Sequence, residues 1–438
     1  MRLFGTDGIR GIANEDLTAD LARNLACTAG SLICRENDQV VIGRDTRGSG
    51  QWLEEALTEG FLSQGVDVIK VGVLPTPAIS YLTTKLKSTL GVVISASHNP
   101  SEYNGIKFFN NHGIKLEEEL EHKIEANLNS GKVAARLAKG RVLKEAGLEI
   151  YDEHLKRAIN VPLEGLRVWL DCANGAASYV APGLFSELGV SVQTHSCTPD
   201  GQNINLECGS THPQNLQKLI KQEPADAGFA FDGDADRAIA VDETGGLVDG
   251  DFIMAICAKY LHENNDLKGS QVITTVMTNL GFHLAMDDLG IKVLLTKVGD
   301  KYVLDKMLET GANLGGEQSG HIIFLEHGPA GDGILTALKL LQIIEKSGQK
   351  LSELAKVMAR LPQTLINIEV KRKNGWNKNI RLSSAIKDAE LELGSRGRIL
   401  VRPSGTEQLI RVMTESDSVE HSKEIAGRVA DIVREEFA

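Results

Sequence analysis

Three segments of the chain repeat one pattern: an apolar strand, a polar loop, a helix, a glycine, then a second strand opening Val/Ile-x-Val. The first runs from 40–43 to 65–68. The second starts at 166–171, passes a helix near 182–188 and reaches 189–192. The third runs from 271–276 to 290–293. Each glycine stands where a helix ends, because glycine enters the left-handed conformation there without a steric penalty, and a buried strand follows. Strands alternating with helices imply substantially parallel sheets covered on both faces, with ligands at the loops beyond the strands' carboxyl ends.

Beyond Pro362 the pattern changes. A strand at 365–370, a helix near 379–391, two strands at 398–402 and 408–413 joined by a tight loop, and a terminal helix suggest a small α+β domain. A chain of 438 residues has room for about three domains or more. The expected fold is therefore α/β: three tandem α/β domains with mixed, largely parallel sheets, plus a small C-terminal α+β domain, around a central cleft. The bounds are drawn at 1–150, 151–248, 249–362 and 363–438.

Charge narrows the partners. With 47 basic and 59 acidic residues the formal net is -12, and no Lys/Arg-rich block occurs, which argues against nucleic acid. An anionic substrate then needs a locally basic cleft. The six cysteines (Cys27, Cys34, Cys172, Cys197, Cys208, Cys257) are scattered without a C-x-x-C spacing, as expected of thiols in a reducing compartment. The first residues lack the apolar stretch of a signal peptide, and no run of about 18 apolar residues occurs. A cytoplasmic protein with no membrane partner is expected.

The sharpest motif is Asp232-Gly233-Asp234-Ala235-Asp236-Arg237, set between apolar runs at 227–230 and 238–241. In extended backbone the three carboxylates project to one side, about 6.7 Å apart. At an effective dielectric near 20, each adjacent pair repels by about 2.5 kcal/mol, a cost that a hard divalent cation removes. Oxygen-only ligands and an expected phosphate favour Mg2+ over zinc. An EF-hand is the competing reading, with Asp232, Asp234, Asp236 and Glu243 at its positions 1, 3, 5 and 12. It fails where Arg237 replaces the required glycine and where the flanks read as strands. A solvated acidic turn is the bland alternative, poorly matched by the Gly/Ala spacers and apolar flanks.

Three further loops carry polar chemistry. Ser95-Ala96-Ser97-His98-Asn99-Pro100 ends a strand in a turn that would expose Ser97 at its tip; alone, this is ordinary turn chemistry, and no G-x-S-x-G elbow supports a hydrolase. Gly315-Gly316-Glu317-Gln318-Ser319-Gly320-His321 offers acceptors and donors suited to a hydroxyl-rich ligand, although a glycine-rich surface turn or a buried, satisfied His321 reads equally well. Arg402-Pro403-Ser404-Gly405-Thr406-Glu407, with Arg411, suits a phosphate dianion and is no Walker A loop. The stretches 4–11 and 43–50 place arginines on glycine-rich loops, where structural ion pairing is the simpler reading, above all for the second.

In this order, from Phe4 to Arg411, the motifs resemble the α-D-phosphohexomutase superfamily. Within it they most resemble the bacterial branch acting on glucosamine phosphates, through 95–100, 199–210 and 316–321. Phosphomannomutase/phosphoglucomutase relatives usually carry Met where Gln318 stands and Gly where Ala96 stands. The resemblance implies that Ser97 is phosphorylated and that Asp232, Asp234 and Asp236 hold Mg2+ together with its phosphate, steadied by Arg237. Lys107, Arg10 and His321 match the family's active-site basic residues. Glu317 and Ser319 would grip sugar hydroxyls, and Arg402, Ser404, Gly405, Thr406 and Arg411 would bind the phosphate that is not reacting. Gln408 departs from the family's usual Pro, which bears on the stiffness of that loop.

The implied reaction interconverts glucosamine 6-phosphate and glucosamine 1-phosphate through a phosphoserine and a 1,6-bisphosphate, feeding UDP-N-acetylglucosamine and cell-wall synthesis. Glucosamine or glucose 1,6-bisphosphate would act as activator. The implied partner is a small sugar phosphate, and a homodimer is compatible with the pattern. A phosphomannomutase/phosphoglucomutase, a noncatalytic sugar-phosphate-binding protein and a metal-dependent phosphatase are the alternatives.

Overall fold

Glycines at the ends of the repeated helices take the conformation that the pattern requires: Gly65, Gly189 and Gly290 have φ of 71°, 88° and 69°. The computed structural model describes residues 3–5, 7–130, 136, 138–404 and 408–438. Its residues divide into two units, Met1–Met277 with Ile291–Val357, and Thr278–Gly290 with Met358–Ala438.

The first unit holds three mixed sheets. In the seven-stranded sheet, Leu90–Ile94, Gln39–Arg44, Asp67–Val73 and Val142–Lys144 run parallel, and Tyr103–Asn110, Gly8–Ile12 and Phe4–Gly5 extend it antiparallel. In the five-stranded sheet, Ala227–Phe231, Arg167–Asp171 and Ser191–His195 are parallel, while Ala238–Asp242 and Leu247–Val248 return antiparallel. The four-stranded sheet pairs Lys292–Thr296, Gln271–Thr275 and Leu314–Gly316 in parallel and closes with antiparallel Ile322–Phe324.

Side-chain alternation sends the two faces of a strand to different helices. Val40, Ile42, Val92 and Ile94 pack with Leu25 of helix Ala19–Ile33 and Phe61 of helix Gly50–Leu62 in one buried cluster. On the opposite face helix Thr76–Lys85 lies so close that a Cβ at Gly91 would sit 2.1 Å from Thr83 Oγ1. Covering both faces leaves the strand ends as the accessible places for chemistry.

The second unit is α+β. Strands Gln363–Glu369 and Arg398–Pro403 flank central Leu409–Glu415, all antiparallel. Ile410 and Val412 bury with Val401, with Leu382 of helix Ile380–Leu393, and with Ile425, Val429 and Val433 of helix Val419–Phe437. A buried Val, Ile or Leu contributes about 1.5–3 kcal/mol each. Helix Leu280–Asp288, the helix of the third repeat, groups with this unit by its contacts. Asn279 Nδ2 donates to Leu361 O at 3.0 Å, and Leu280 N donates to Glu415 Oε2 at 2.8 Å. Among the described residues no helix is long and apolar enough to cross a membrane.

Candidate active site

Ser97 follows strand Leu90–Ile94, and the aspartate run follows Ala227–Phe231, so both stand at carboxyl ends of parallel strands. The two loops meet: Ser97 Oγ donates to Asp232 Oδ2 at 2.7 Å. Ser97 is buried at 1% exposure, not displayed at a loop tip as the turn chemistry suggested. The aspartate loop covers it, and Gly233 lets it do so. A Cβ at Gly233 would lie 2.6 Å from Ser97 O and 2.8 Å from Asn205 Nδ2.

The aspartates are not in extended backbone either. Phe231 pairs with Ala238 across antiparallel strands, so the chain must reverse within the six residues between them. Ala235 takes φ 53°, and its N–H donates to Asp232 O at 3.0 Å. This turn brings one oxygen of each of Asp232, Asp234 and Asp236 within 4.8 Å of the others, closer than an extended run allows.

A buried ion pair shapes the serine loop. Arg47 Nε bonds Asp45 Oδ2 at 2.9 Å, and both side chains are inaccessible. The guanidinium also donates to the carbonyls of Ser97 (2.9 Å), Asn99 (2.8 Å) and Tyr103 (2.8 Å), and to Pro100 O. Asp45 Oδ2 accepts Ser95 Oγ at 2.7 Å, and Ser95 Oγ accepts Ser97 N at 2.9 Å. Asn205 Nδ2 adds bonds to Ser97 O (2.8 Å) and Asn99 O (3.0 Å). These contacts hold Ser97 at φ 52°, a left-handed conformation that costs a non-glycine residue about 1–2 kcal/mol. The pairing expected at 43–50 is thus structural, and its structure is the serine loop.

Charges alternate around the carboxylates. Lys107 Nζ lies 3.0 Å from Asp234 Oδ2 and 3.1 Å from Asp7 Oδ2, with Arg10 and Lys115 also paired to Asp7. Arg10 Nη1 reaches Asn99 Oδ1 at 3.4 Å. Thr76, at the start of its helix, donates to Asp234 through Oγ1 (2.6 Å to Oδ2) and N (2.9 Å to O). His321 stands between Asp236 Oδ2 (3.5 Å) and Asp300 Oδ2 (3.7 Å), and its Nε2 accepts Gly331 N at 3.1 Å. Arg237 N donates to Asp232 Oδ1 at 3.2 Å, and its Nε is 3.8 Å from Asp236 Oδ1.

Burial, reinforced by repulsion from Asp236 and Asp234, pushes the Asp232 carboxyl well above the usual range. Burial acts on Asp236 too, but His321, Lys107 and Arg237 outweigh it and hold that carboxyl low. Burial would weaken Lys107 as a cation; Asp234, Asp7 and Asp236 reverse this and keep it protonated. His98 is pushed down to about 4 by burial and by the charges of Arg237 and Arg10.

A hard divalent cation fits this donor set. Asp234 Oδ1 and Asp236 Oδ1 are buried without a hydrogen-bond partner among the described residues, an arrangement costing at least about 1–3 kcal/mol per atom. Three hard oxygens drawn together and left incompletely paired suit Mg2+. The EF-hand alternative falls away, because Glu243 accepts Ser352 N at 3.2 Å elsewhere and the flanks are strands.

The remaining motifs lie in both units. In the first, Glu317 Oε1 accepts Gly299 N at 3.0 Å, and Ser319 Oγ is buried with no partner among the described residues. In the second, Arg402 and Arg411 are register partners on adjacent strands. Burial and the Arg411 charge lower the Arg402 pKa. Lys373 Nζ donates to Ser404 O at 2.9 Å. Gln408 Nε2 donates to Lys371 O at 3.2 Å, a tether that proline could not supply. Gly405 and Thr406 lie outside the described residues. Sequence reasoning missed Thr76, Asn205, Asp7, Lys115 and Asp300. Asn205 and Asp7 lay in stretches that had drawn notice; the other three did not.

Four family models match the chain: phosphoglucomutase/phosphomannomutase alpha/beta/alpha domains I, II and III at residues 1–134, 149–246 and 249–361, and the C-terminal domain at 365–432. The phosphoglucosamine mutase of Carboxydothermus hydrogenoformans is 51% identical over 440 residues, covering 99% of both chains. That of Clostridium novyi is 48% identical over 444 residues, again with 99% of each covered. Among solved structures, a phosphoglucomutase/phosphomannomutase family protein of Burkholderia thailandensis gives a TM-score of 0.83 at 27% identity over 98% of each chain. The N-acetylphosphoglucosamine mutase of Aspergillus fumigatus, in complex with GlcNAc-6P and magnesium, shares the fold. Its TM-score is 0.72 at 19% identity, with 99% of this chain and 95% of that one covered.

Proposed function

The chain belongs to the phosphoglucosamine mutase family of the α-D-phosphohexomutase superfamily, and on that footing we propose that Ser97 lends and reclaims the phosphoryl group as glucosamine 6-phosphate and glucosamine 1-phosphate interconvert. The enzyme is an isomerase. One observation carries the assignment of Ser97: its hydroxyl lies 2.7 Å from Asp232, inside a buried cluster of three carboxylates countered by Lys107.

Asp232, Asp234 and Asp236, with the Ser97 phosphate, would hold Mg2+. When bound it supplies neutralising charge to a phosphoserine that carries about -1.5 to -2. The protein's own groups do the rest. Ser97 donates its proton to Asp232 Oδ2, leaving the oxygen lone pairs free toward an incoming phosphorus. Lys107, held as a cation between Asp7 and Asp234, stabilises phosphate charge. Arg10 adds positive charge, His321 stands as a basic group beside Asp236, Arg237 steadies the aspartate loop, and Glu317 and Ser319 accept from and donate to sugar hydroxyls. Arg402, Ser404, Gly405, Thr406 and Arg411 bind the phosphate not in transfer.

The sugar's O1 attacks the Ser97 phosphorus, the bond to Ser97 Oγ breaks, and the 1,6-bisphosphate forms. After the sugar turns, its 6-phosphate passes to Ser97 and glucosamine 1-phosphate leaves. A 1,6-bisphosphate of glucosamine or glucose reprimes an unphosphorylated serine. The reading places the enzyme in the cytoplasm, with a small sugar phosphate as partner, a homodimer as its assembly, and domains at 1–150, 151–248, 249–362 and 363–438.

The test compares isomerisation of the 6-phosphates of glucosamine, glucose and mannose, alongside intact mass. Glucosamine 6-phosphate turns over fastest, the protein carries one phosphate on Ser97, and Ser97→Ala abolishes turnover while remaining folded. Faster turnover of mannose 6-phosphate, or full activity in Ser97→Ala, defeats the reading.

A further inference from the structure

The mutase chemistry leaves one group of reactive side chains unused. Cys172 follows strand Arg167–Asp171 and Cys197 follows the parallel neighbour Ser191–His195, so both thiols sit at the carboxyl end of the five-stranded sheet. Beyond the sheet the loops stay side by side: Cys172 N donates to His195 O at 3.1 Å and Asn174 N to Ser196 O at 2.6 Å. Each thiol lies close enough to shift the titration of the other. The register sets Cys172 opposite Ser196 and Cys197 one position further on; strands about 4.8 Å apart with a rise of about 3.3 Å per residue separate such Cα atoms by about 5.8 Å, inside the range a disulfide bridges. We propose that Cys172 and Cys197 are a redox pair that a hydroperoxide closes to a disulfide and thiols reopen, and that closure slows the mutase.

The two sulfurs have unlike roles. Cys197 is half-buried, and its pKa is lowered to about 7 by the neighbouring Cys172 thiol, against burial and with help from Ser178. Cys172 is buried, and its thiol is pushed well up by the Cys197 thiol and by burial. The Cys197 thiolate attacks one peroxide oxygen; the O–O bond breaks, and the departing hydroxide takes a proton to become water, leaving a sulfenic acid. Cys172 then gives up its proton and its sulfur attacks Cys197 sulfur, the S–O bond breaks, and a second water leaves. Two thiols are oxidised and one hydrogen peroxide is reduced to two waters.

The other thiols do not share this setting. Cys34 and Cys257 are buried and pushed up to about 12 by burial. Cys208, nearby, is pushed up to about 11 by burial. Among the described residues only the three aspartates converge as metal donors, so the thiols form a pair and not a metal cage.

The pair borders the contacts that hold the serine loop. Ala173 O accepts Asn205 N at 2.9 Å, and Asn205 Nδ2 in turn grips Ser97 O and Asn99 O. Asn174 O accepts Thr46 Oγ1 at 2.6 Å, and Asn174 Oδ1 accepts Thr198 N at 3.1 Å. Drawing the sulfurs from non-bonded contact to about 2.05 Å moves these loops. The effect on turnover rests on the mutase reading; the crosslink is read by mass alone, so the two can fail separately.

The experiment treats the full-length protein, with Mg2+, with graded hydrogen peroxide, alkylates the remaining thiols and maps peptides without reduction. Turnover is followed before treatment, after it, and after a dithiol is added. A Cys172–Cys197 peptide lacking two hydrogens accumulates, turnover falls in step with it, and the dithiol restores both. Cys197→Ser keeps its turnover through the same doses. Both thiols remaining alkylatable, Cys197 proceeding to sulfinic acid, or Cys197 pairing with Cys208 would each overturn the pair. A bridge that leaves turnover unchanged would overturn its link to the serine loop.

Discussion

At the scale of single residues, Gly233 decides whether the serine and the aspartates can share a site. Its missing Cβ is the space through which Ser97 O and Asn205 approach the aspartate loop. Gly233→Ala is expected to leave the fold intact, since the clash is confined to two loops, but to cut turnover by about 10²-fold or more through displacement of the reacting groups. Circular dichroism and steady-state rates on one preparation check this, and wild-type turnover would refute it. The residues legible in the sequence were those whose chemistry is local: three aspartates within five positions, or a serine in a tight turn. Thr76 and Asp234 are 158 positions apart, and Arg47 meets Ser97 across 50, so neither partnership leaves a trace in spacing. Arg47 illustrates the limit. Ion pairing was legible; that its other donors would clamp the carbonyls around Ser97 was not.

At the scale of elements, helix Gly333–Ser347 packs its N-terminus against the aspartate loop, with Gly333 N donating to Ala235 O at 3.0 Å. Its cap, Asp332, accepts Leu335 N at 2.9 Å and Tyr151 Oη at 2.7 Å. Burial pushes this carboxyl up to about 6, although both hydrogen bonds pull the other way. A carboxyl with a raised folded pKa binds its proton more tightly when folded. The stability it contributes is therefore greatest below about pH 4 and is lost as pH rises through about 6, by about 3 kcal/mol in all. Asp332→Asn keeps a capping oxygen and removes the titration, so its denaturant-derived stability should gain on the wild type between pH 4 and 7. A difference that stays flat with pH contradicts the burial argument. Element types were legible because glycine stops and apolar periods are local signals. That helix Leu280–Asp288 would be tied at its start to Leu361 and Glu415 was not, because periodicity records which face of a helix is apolar and not what its ends meet.

At the scale of the whole molecule, two features set stability. The first is the carboxylate cluster: Mg2+ at one hundred times its dissociation constant should raise stability by about 2.7 kcal/mol, which chelation reverses and Asp234→Asn diminishes. A melting temperature indifferent to Mg2+ would rule the site out. The second is Glu415, wholly buried in the second unit, which accepts Leu280 N, Asn279 Nδ2, Gln363 Nε2 and Arg398 Nε. Glu415→Ala strips the shared acceptor from four donors and should cost about 3–5 kcal/mol, seen as early melting of that unit. A loss below about 1 kcal/mol would show that other acceptors replace it. This second unit also fixes a schedule. On the ribosome, Thr278–Gly290 emerges before the 67 residues of Ile291–Val357 and before Leu361 and Glu415, to which it bonds. At about 5–20 residues per second, its buried Phe282 and Met286 wait several seconds before those partners emerge. Slow translation or scarce chaperones should therefore harm the newborn chain most in that interval, while the finished enzyme stays indifferent to both.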